Sequence, residues 1–280
     1  MKILRTVVAT LLFAALPVIA EAKDYETVEI AAPHLGGMKV GFNIILPRDY
    51  ASSARRYPVL YLLHGYTDHY SAWVSYSGIT QYARGYPQIV VMPEGDNGFY
   101  TNSYTDKNLA WEDFFILDLI PYVDSHYRTV ASREGRAIAG LSMGGYGAMK
   151  LGLKFPQMFS AAASLSGAFG AARPSHRPID DPVFRKLIEG VYGPPDNPGR
   201  ASEDPFELIK KVAAELRPQL YISVGSGDFL LDENREFVKL LGELKVPYEY
   251  HEFPGKHEWP AWDREIQVVL ALQAPVIGAR

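Results

Sequence analysis

Short, continuous runs of apolar residues recur along the chain, and longer segments with helical spacing of apolar positions separate them. Such runs are typical of strands that are covered on both faces. They predict strands at 59–63, 89–92, 137–139, 220–224 and 248–253. The spacing between them predicts helices over 111–127, 143–155 and 231–244. Pro121 should kink or restart the first of these helices.

Strands that alternate with helices predict an α/β fold with a mostly parallel central sheet and helices on both faces. Two short strands at 28–30 and 39–46 precede this alternation, and Gly36-Gly37 is the turn between them. The segment 170–204 contains six prolines, which indicates an irregular insertion. This insertion is either a lid over a site or a plain surface excursion.

The first 22 residues have the pattern of an export signal. Two basic residues precede an uncharged, mostly apolar stretch at 6–20, and Ala20-Glu21-Ala22 places small residues where a signal peptidase cleaves. That stretch is shorter than the roughly 20 residues that span a bilayer. We therefore expect cleavage between Ala22 and Lys23, a single catalytic domain at 23–280, and a secreted or periplasmic protein.

The composition is that of an ordinary globular protein, and it argues against several functions. The chain of 280 residues has 28 Lys and Arg against 32 Asp and Glu, with no basic stripe for a nucleic acid. No later segment is apolar enough to span a membrane in the mature protein. Because the chain has no cysteine, disulfides, thiol nucleophiles and thiolate-bound zinc are excluded. We expect no cofactor and no metal, since the His-Glu-x-x-His motif and calcium-loop patterns are missing.

A glycine-flanked serine is the strongest chemical signal in the sequence. The string Gly140-Leu141-Ser142-Met143-Gly144 follows one predicted strand and opens a predicted helix. Glycines on both sides permit a sharp turn that lifts the serine hydroxyl clear of the sheet, at the amino end of a helix dipole. Ser142 is therefore the candidate nucleophile; the alternative is a glycine-rich turn with a bystander serine.

A serine hydroxyl needs a base to take its proton, so one of the seven histidines should face Ser142. In this kind of fold the acid and the histidine follow the serine along the chain. Only His176, His251 and His257 do so, and only His257 lies in a loop after the last predicted strand. The sequence therefore predicts His257 as the base.

The acid that orients the histidine is expected in the loop after the strand at 220–224. Gly225-Ser226-Gly227-Asp228 forms such a loop, which favours Asp228. Asp232 is the rival, although it lies where the next helix starts and would act there as a helix cap. Capping is also the alternative role for Asp228.

The oxyanion of an acyl-transfer intermediate needs two backbone donors. One should be the amide of Met143, directly after the candidate nucleophile. The other should come from His64-Gly65-Tyr66, where Gly65 permits close backbone approach, so Tyr66 is the second candidate. The alternative is that His64-Gly65 merely ends a strand.

These strings together resemble the esterase D/feruloyl esterase branch of the α/β-hydrolase superfamily, over roughly residues 40–262. The resemblance rests on Tyr61-Leu62-Leu63-His64-Gly65, Gly140-Leu141-Ser142-Met143-Gly144-Gly145, Gly227-Asp228-Phe229-Leu230 and His257-Glu258-Trp259. It implies an α/β-hydrolase fold with the insertion after the sixth strand. It also implies a triad and two oxyanion donors, namely Ser142, Asp228, His257 and the amides of Tyr66 and Met143.

The resemblance implies a serine carboxylic-ester hydrolase that works through an acyl-enzyme, and the predicted export signal makes it an exported one. Feruloyl or acetyl esters of plant polysaccharide are the expected substrates, either as small molecules or linked to the polymer. A general short-chain carboxylesterase and an acyltransferase with the same triad are the alternatives. A non-catalytic binding protein of this fold and a metal-dependent hydrolase fit the motifs less well.

Aromatic residues near the candidate site suggest a flat acyl group or a sugar face as the ligand. Trp259 lies two residues after His257, and the loop with Phe99 and Tyr100 could fall on the same edge of the sheet. Tyr100 and Trp259 are therefore candidate substrate contacts. The alternative for the tryptophan is core packing beneath the last helix.

Overall fold

The computed structural model describes residues 24–173 and 180–279, so the predicted export signal at 1–22 lies outside the described residues. Within these ranges one sheet contains the strands β1 Glu26–Ala32, β2 Met38–Ile45, β3 Val59–Leu63, β4 Ile89–Pro93, β5 Arg136–Leu141, β6 Ala161–Leu165, β7 Gln219–Gly225 and β8 Glu249–Phe253. Its α-helices are α1 Ala72–Tyr76, α2 Ile79–Ala83, α3 Trp111–Asp113, α4 Ile120–His126, α5 Met143–Lys154, α6 Pro182–Tyr192, α7 Pro205–Leu208, α8 Leu231–Glu243 and α9 Trp259–Gln273. No helix of the described part is long and apolar enough to cross a bilayer.

The sheet has the strand order β1-β2-β4-β3-β5-β6-β7-β8. β2 is antiparallel to both of its neighbours, β1 and β4, while every pair from β4 to β8 is parallel. β4 and β5 lie on opposite sides of β3, so the chain reverses its direction of strand addition there. Ligands of open α/β sheets bind at such a reversal, beyond the carboxyl ends of the strands.

Both faces of the sheet are covered, as the apolar runs predict. In β3, Val59, Tyr61 and Leu63 are buried in the core beneath α4, α5 and α8, while Leu60 and Leu62 are buried beneath α1, α2 and α9. Alternate side chains of a strand point to opposite faces, which explains why the whole run is apolar. The predicted mostly parallel α/β sheet with helices on both faces is confirmed.

The elements that the sequence analysis does not place include the strand β6 and the helices α1, α2, α6 and α7. β6 consists of Ala161-Ala162-Ala163-Ser164-Leu165, whose small side chains lack the β-branched signal of a strand. Its residues are buried between β5 and β7, so tertiary pairing determines its conformation. The insertion follows the sixth strand, and the described part of it includes some regular structure. It contains α6, and the Asp181 side chain caps this helix by accepting a hydrogen bond from the amide of Val183.

The helix predicted over 111–127 is a composite. A π-helical turn at Phe114–Leu119 joins α3 to α4, and Pro121 lies in the first turn of α4. Because proline has no amide hydrogen and its ring crowds the preceding turn, a regular α-helix cannot pass through it unchanged. The wider turn accommodates this defect while Phe114, Phe115 and Leu119 stay buried.

A buried ion cluster joins the insertion to α5. The Lys150 side chain is fully buried, and its Nζ lies 2.7 Å from Glu112 Oε2 and 3.1 Å from Glu203 Oε2. Lys154 contacts the same two carboxylates. The Nζ atom of Lys150 also donates to the carbonyl oxygen of Tyr100, at 2.6 Å. The cluster therefore holds three separate segments at fixed positions around α5, the helix that follows Ser142.

Candidate active site

Ser142 occupies the tight turn between β5 and α5. Its backbone has φ 52° and ψ −116°, a conformation that costs on the order of 1–3 kcal/mol for a residue with a side chain. The amide of Ser142 donates to Leu165 O at 2.8 Å, and its carbonyl accepts from the amide of Ala168 at 3.1 Å. The end of β6 therefore holds this strained turn in place.

Glycines flank Ser142 because neighbouring backbone leaves no room for a side chain. A Cβ atom at Gly140 would lie 2.3 Å from the carbonyl oxygen of Gly144. A Cβ atom at Gly144 would lie 2.5 Å from the carbonyl oxygen of His64. The two glycines are therefore required by the close approach of α5 to β5 and to the end of β3.

Ser142, His257 and Asp228 form one hydrogen-bonded line at the carboxyl edge of the sheet. The Oγ atom of Ser142 lies 2.9 Å from His257 Nε2, and His257 Nδ1 lies 3.0 Å from each carboxylate oxygen of Asp228. Asp228 follows β7 and His257 follows β8, while Ser142 follows β5. Loops after parallel strands meet at one edge, so residues far apart in sequence become neighbours here.

The carboxylate of Asp228 is fully buried and accepts several hydrogen bonds. Burial raises the pKa of Asp228, but hydrogen bonds from His257, from the Leu230 amide and from the Ser166 hydroxyl together hold this pKa below its usual value. Asp228 is therefore ionised at neutral pH. The rival Asp232 is exposed in the first turn of α8, where Leu230 rather than Asp232 occupies the capping position.

Two further residues, Ser166 and Trp262, support Asp228 and His257. The sequence analysis does not predict either of them as a partner of the acid. The indole Nε1 of Trp262 donates to Ser166 Oγ at 3.2 Å, and the Ser166 hydroxyl bonds to Asp228. The Trp262 ring also packs edge-on against His257, with centroids 4.8 Å apart. Ser166 directly follows β6. Because the sequence pattern does not predict β6, it also gives no indication that Ser166 lies at the carboxyl end of a strand.

Of the other two candidate histidines, one lies within the described residues. His251, in β8, bonds through Nδ1 to Glu265 Oε2 at 2.9 Å. His176 lies outside the described residues. His257 is thus the candidate histidine that the structure brings to Ser142.

Met143 and Tyr66, the two residues of the oxyanion prediction, both line the cavity beside Ser142. Neither amide donates to an acceptor within the described ranges of the chain. Gly65 lies against Leu141, and a Cβ atom there would be 2.6 Å from Leu141 Cδ1. The loop after β3 therefore approaches the nucleophile turn as closely as its backbone allows.

A buried histidine–carboxylate pair holds this loop. His64 Nδ1 lies 2.8 Å from the carbonyl oxygen of Gly65, and His64 Nε2 lies 3.1 Å from Glu94 Oε1. The amide of Asp96 also donates to Glu94, at 2.7 Å. Burial raises the pKa of Glu94, but the hydrogen bonds and charge of His64, with bonds from the amides of Asp96 and Tyr70, lower it to about 2.

We expect Glu94→Gln to lower kcat by about tenfold with little change in KM, because a loosened loop displaces a donor that acts mainly in the transition state. The folded pKa of Glu94 lies below its ordinary value of 4.5, so its stabilising effect is complete above about pH 5 and is lost as the pH falls toward 2. Melting temperatures should therefore differ between variant and wild type at pH 7 and converge at low pH.

Glu252→Gln, which removes an exposed pair with Arg235, is the control. A difference in melting temperature that is independent of pH would contradict this role.

A cavity of about 310 Å³ opens beside Ser142 and has mostly apolar walls. The insertion contributes Phe184 and Ile188 from α6, and the sheet loops contribute Tyr66, Phe99 and Phe229. The Phe229 ring also lies 4.4 Å from that of His257. The part of the insertion in α6 therefore covers one side of the candidate site.

The two predicted substrate contacts lie away from this cavity. Tyr100 is buried below its wall, with its hydroxyl donating to His64 O at 3.0 Å, while its neighbour Phe99 lines the cavity. Trp259 packs edge-on against Trp73 and Trp262, which is the core-packing alternative. The Tyr100 side chain is buried and that of Trp259 is half-buried against other aromatic rings, and neither residue lines the cavity.

Strand order, the nucleophile turn and the Ser-His-Asp line together define an α/β-hydrolase. The "Esterase" family model matches residues 34–271, so the chain belongs to the Esterase family, a family of serine ester hydrolases. An esterase from Mycobacterium tuberculosis is 36% identical over 79% of this chain, although the chain spans only 53% of that protein's length. An acetyl esterase from Caldicellulosiruptor saccharolyticus is 31% identical, over 74% of this chain and 79% of its own.

Solved structures agree with this fold. A structure named ferulic acid esterase superposes with a TM-score of 0.76 at 26% sequence identity. The match covers 90% of this chain and 98% of that one. The predicted α/β-hydrolase fold and the predicted resemblance to the esterase branch are both confirmed.

Proposed function

We propose that this chain hydrolyses carboxylic esters through an acyl-enzyme on Ser142, with His257 as general base and acid and Asp228 as the orienting carboxylate. The observation that carries this proposal is the continuous line of hydrogen bonds from Ser142 Oγ through His257 to Asp228. A hydroxyl, an imidazole and a buried carboxylate at these distances can activate a nucleophile and stabilise the protonated imidazole that results.

In the acylation step, Ser142 Oγ attacks the ester carbonyl carbon while its proton moves to His257 Nε2. The carbonyl oxygen becomes an oxyanion and accepts hydrogen bonds from the amides of Tyr66 and Met143. Collapse of this intermediate breaks the bond to the alcohol oxygen, and His257 returns the proton to the leaving alcohol. Asp228 remains ionised and holds Nδ1 of the imidazole throughout.

In the deacylation step, water takes the place of the alcohol. His257 Nε2 removes its proton, the resulting hydroxide oxygen attacks the acyl carbon, and the intermediate releases the acid and restores the Ser142 hydroxyl. A sugar or lipid alcohol in place of water would give acyl transfer from the same intermediate. The proposed triad supports acyl transfer as the reaction class, and the acceptor decides between hydrolysis and transfer to another alcohol.

For the substrate, we propose feruloyl or acetyl esters of plant polysaccharide. Aromatic walls formed by Tyr66, Phe99 and Phe184 support a flat acyl group, since rings pack well against such surfaces. Two similar proteins also bear the names acetyl esterase and ferulic acid esterase. A general short-chain carboxylesterase is the alternative, and export with cleavage before Lys23 belongs to the same proposal. N-terminal mass spectrometry of material recovered outside the cytoplasm checks the export.

Active-site labelling combined with burst kinetics tests the proposed activity. A fluorophosphonate probe should modify Ser142, located by peptide mass spectrometry, and a chromogenic acetate ester should give a burst of alcohol equal to the enzyme concentration. A transfer product that forms when an acceptor alcohol is added, at the expense of the free acid, would favour the acyltransferase. Labelling at a different serine, or turnover that is insensitive to the probe, would overturn the assignment.

A further inference from the structure

Two consecutive aromatic residues in the loop after β4 have a backbone conformation that is costly for any residue with a side chain. Phe99 has φ 52° and Tyr100 has φ 51°, both in the left-handed region. Such conformations persist only where the surrounding structure holds them, and they are concentrated at functional sites. Phe99 lines the cavity beside Ser142, whereas Tyr100 does not line it and is only 1% exposed. The turn therefore places one ring in the cavity wall and buries the next.

A buried ammonium group on α5 holds this turn. Lys150 Nζ donates to the carbonyl oxygen of Tyr100 at 2.6 Å and to the hydroxyl of Thr101 at 3.0 Å. Hydrogen bonds from a charged donor are stronger than those between neutral groups, and burial strengthens them further. The carboxylates of Glu112 and Glu203 balance the charge of Lys150. The backbone of Tyr100 is thus fixed by the buried ion cluster.

The ring of Tyr100 is fixed as well as its backbone. A Cβ atom at Gly95 would lie 2.4 Å from Tyr100 Cε1, and a Cβ atom at Gly147 would lie 2.5 Å from Tyr100 Cδ2. The ring therefore fills a gap between the loop after β4 and α5, where neighbouring positions have room for glycine alone. The hydroxyl at the far end of the ring consequently has a defined position.

That hydroxyl donates to the carbonyl oxygen of His64, at 3.0 Å. Burial raises the pKa of Tyr100 well above its usual value, so the phenol keeps its hydrogen and remains a donor. The carbonyl of His64 belongs to the peptide unit that joins it to Gly65. The next peptide unit carries the amide of Tyr66, the proposed oxyanion donor.

Both of these peptide units are held through their carbonyl oxygens. Gly65 O lies 2.8 Å from His64 Nδ1, which carries the hydrogen because a carbonyl oxygen only accepts. A peptide unit is planar, so the direction of its carbonyl also fixes the direction of its amide. The bond to Tyr100 fixes the first unit, and the bond to His64 fixes the unit that contains the Tyr66 amide.

We propose that Tyr100 is a positioning residue for the oxyanion site: its hydroxyl holds the peptide after His64, and thereby directs the Tyr66 amide, while Lys150 holds Tyr100 itself. The inference rests on the proposed esterase function and adds to it a residue that acts through the loop rather than on the substrate. It also gives a role to a buried lysine that the reaction itself does not use.

Tyr100→Phe removes only the hydroxyl and tests this role. Loss of a whole oxyanion donor costs about 10²- to 10³-fold in kcat, so a donor that remains but is less well directed should cost about tenfold. KM should change by less than about twofold, because the oxyanion exists only beyond the ground state.

Tyr146→Phe is the matched control for this variant. Tyr146 is also buried, and its hydroxyl also donates to a backbone carbonyl, that of Glu203, at 2.7 Å. The two variants should lose similar amounts of thermal stability, since each loses one buried hydrogen bond. We expect kcat of Tyr146→Phe to stay within about twofold of the wild type.

Two inhibitors distinguish a misdirected amide from a general loosening of the fold. A trifluoromethyl ketone forms a bond between its carbonyl carbon and Ser142 Oγ, its carbonyl oxygen becomes an oxyanion, and the serine proton passes to His257. Its inhibition constant should rise in Tyr100→Phe by about the same factor as kcat/KM falls. The corresponding trifluoromethyl alcohol forms no oxyanion, and its inhibition constant should be unchanged.

Tyr100→4-aminophenylalanine restores a donor at the same position. Because an aniline donates more weakly than a phenol, kcat should fall by only about two- to fivefold, with KM unchanged. This variant also decides the matter if Tyr100→Phe fails to fold, since a kcat equal to that of the wild type, or a loss confined to KM, would then overturn the role of Tyr100.

Other outcomes separate this inference from the proposed function. An unchanged kcat in Tyr100→Phe, a loss that appears in KM, or an equal loss in Tyr146→Phe would overturn the positioning role and leave the esterase proposal intact. Failure of the wild type to hydrolyse any ester, including a short-chain acetate, would overturn the esterase proposal itself.

Discussion

Ser142→Ala should lower ester turnover by on the order of 10³-fold or more while the protein stays folded. The substitution removes the oxygen that lies 2.9 Å from His257 Nε2, and nothing else in the described part of the chain replaces it. Stability should not fall, because alanine retains the Cβ atom and the strained φ of 52° is unchanged. Turnover of a chromogenic ester and the melting temperature measure the two effects.

Ser160→Ala is a suitable control for this experiment. Ser160 is a buried serine that lies before β6, at the opposite edge of the sheet from the cavity, and its hydroxyl donates to Arg136 O. Its activity should match that of the wild type. If Ser142→Ala melts like the wild type and retains more than about a tenth of the activity, Ser142 is not the nucleophile.

Asp228→Asn should be nearly as damaging, with a loss of on the order of 10³-fold, because an amide cannot stabilise the imidazolium and can hold His257 in the wrong tautomer. His257→Ala should match Ser142→Ala, since these two residues act as one unit. Asp232→Asn provides the matched control, being the same change four residues away on an exposed helical turn. We expect it to alter kcat/KM by less than about twofold.

Comparison of the two aspartates distinguishes orientation of the histidine from general electrostatics. Equal losses at Asp228 and Asp232, or a larger loss at Asp232, would contradict the hydrogen-bonded line seen in the structure. A loss at Asp228 that appears in KM rather than in kcat would also contradict it, because the carboxylate does not line the cavity.

The order of motifs along the chain was sufficient to predict the line from Ser142 to Asp228. Each of its members follows an apolar or glycine-marked strand end, and such local patterns are visible in a single sequence. The carboxyl ends of parallel strands then bring them together. β3 and β4 were predicted for the same reason, since residues buried on both faces form uninterrupted apolar runs.

The features that the sequence did not predict depend on contacts between distant segments. β6 is a strand because β5 and β7 pair with it, and Ser166 reaches Asp228 only through that pairing. The position of α6 over the cavity depends on packing, although its cap at Asp181 has a local signal. Tyr100 was predicted on the correct loop, but its orientation toward the interior follows from contacts with His64 that no local pattern encodes.

The buried ion cluster has a consequence for engineering this scaffold. Ser142, His257 and Asp228 come from sheet loops, whereas much of the cavity wall comes from α6, so new specificity could be installed by grafting the insertion of a related enzyme. Such a graft must retain Glu203, which lies at its downstream junction and pairs with Lys150 on α5. A chimera joined upstream of Glu203 with a neutral residue in its place would leave an ammonium group short of a partner in the interior. The permissible crossover points are therefore set by charge balance rather than by loop length.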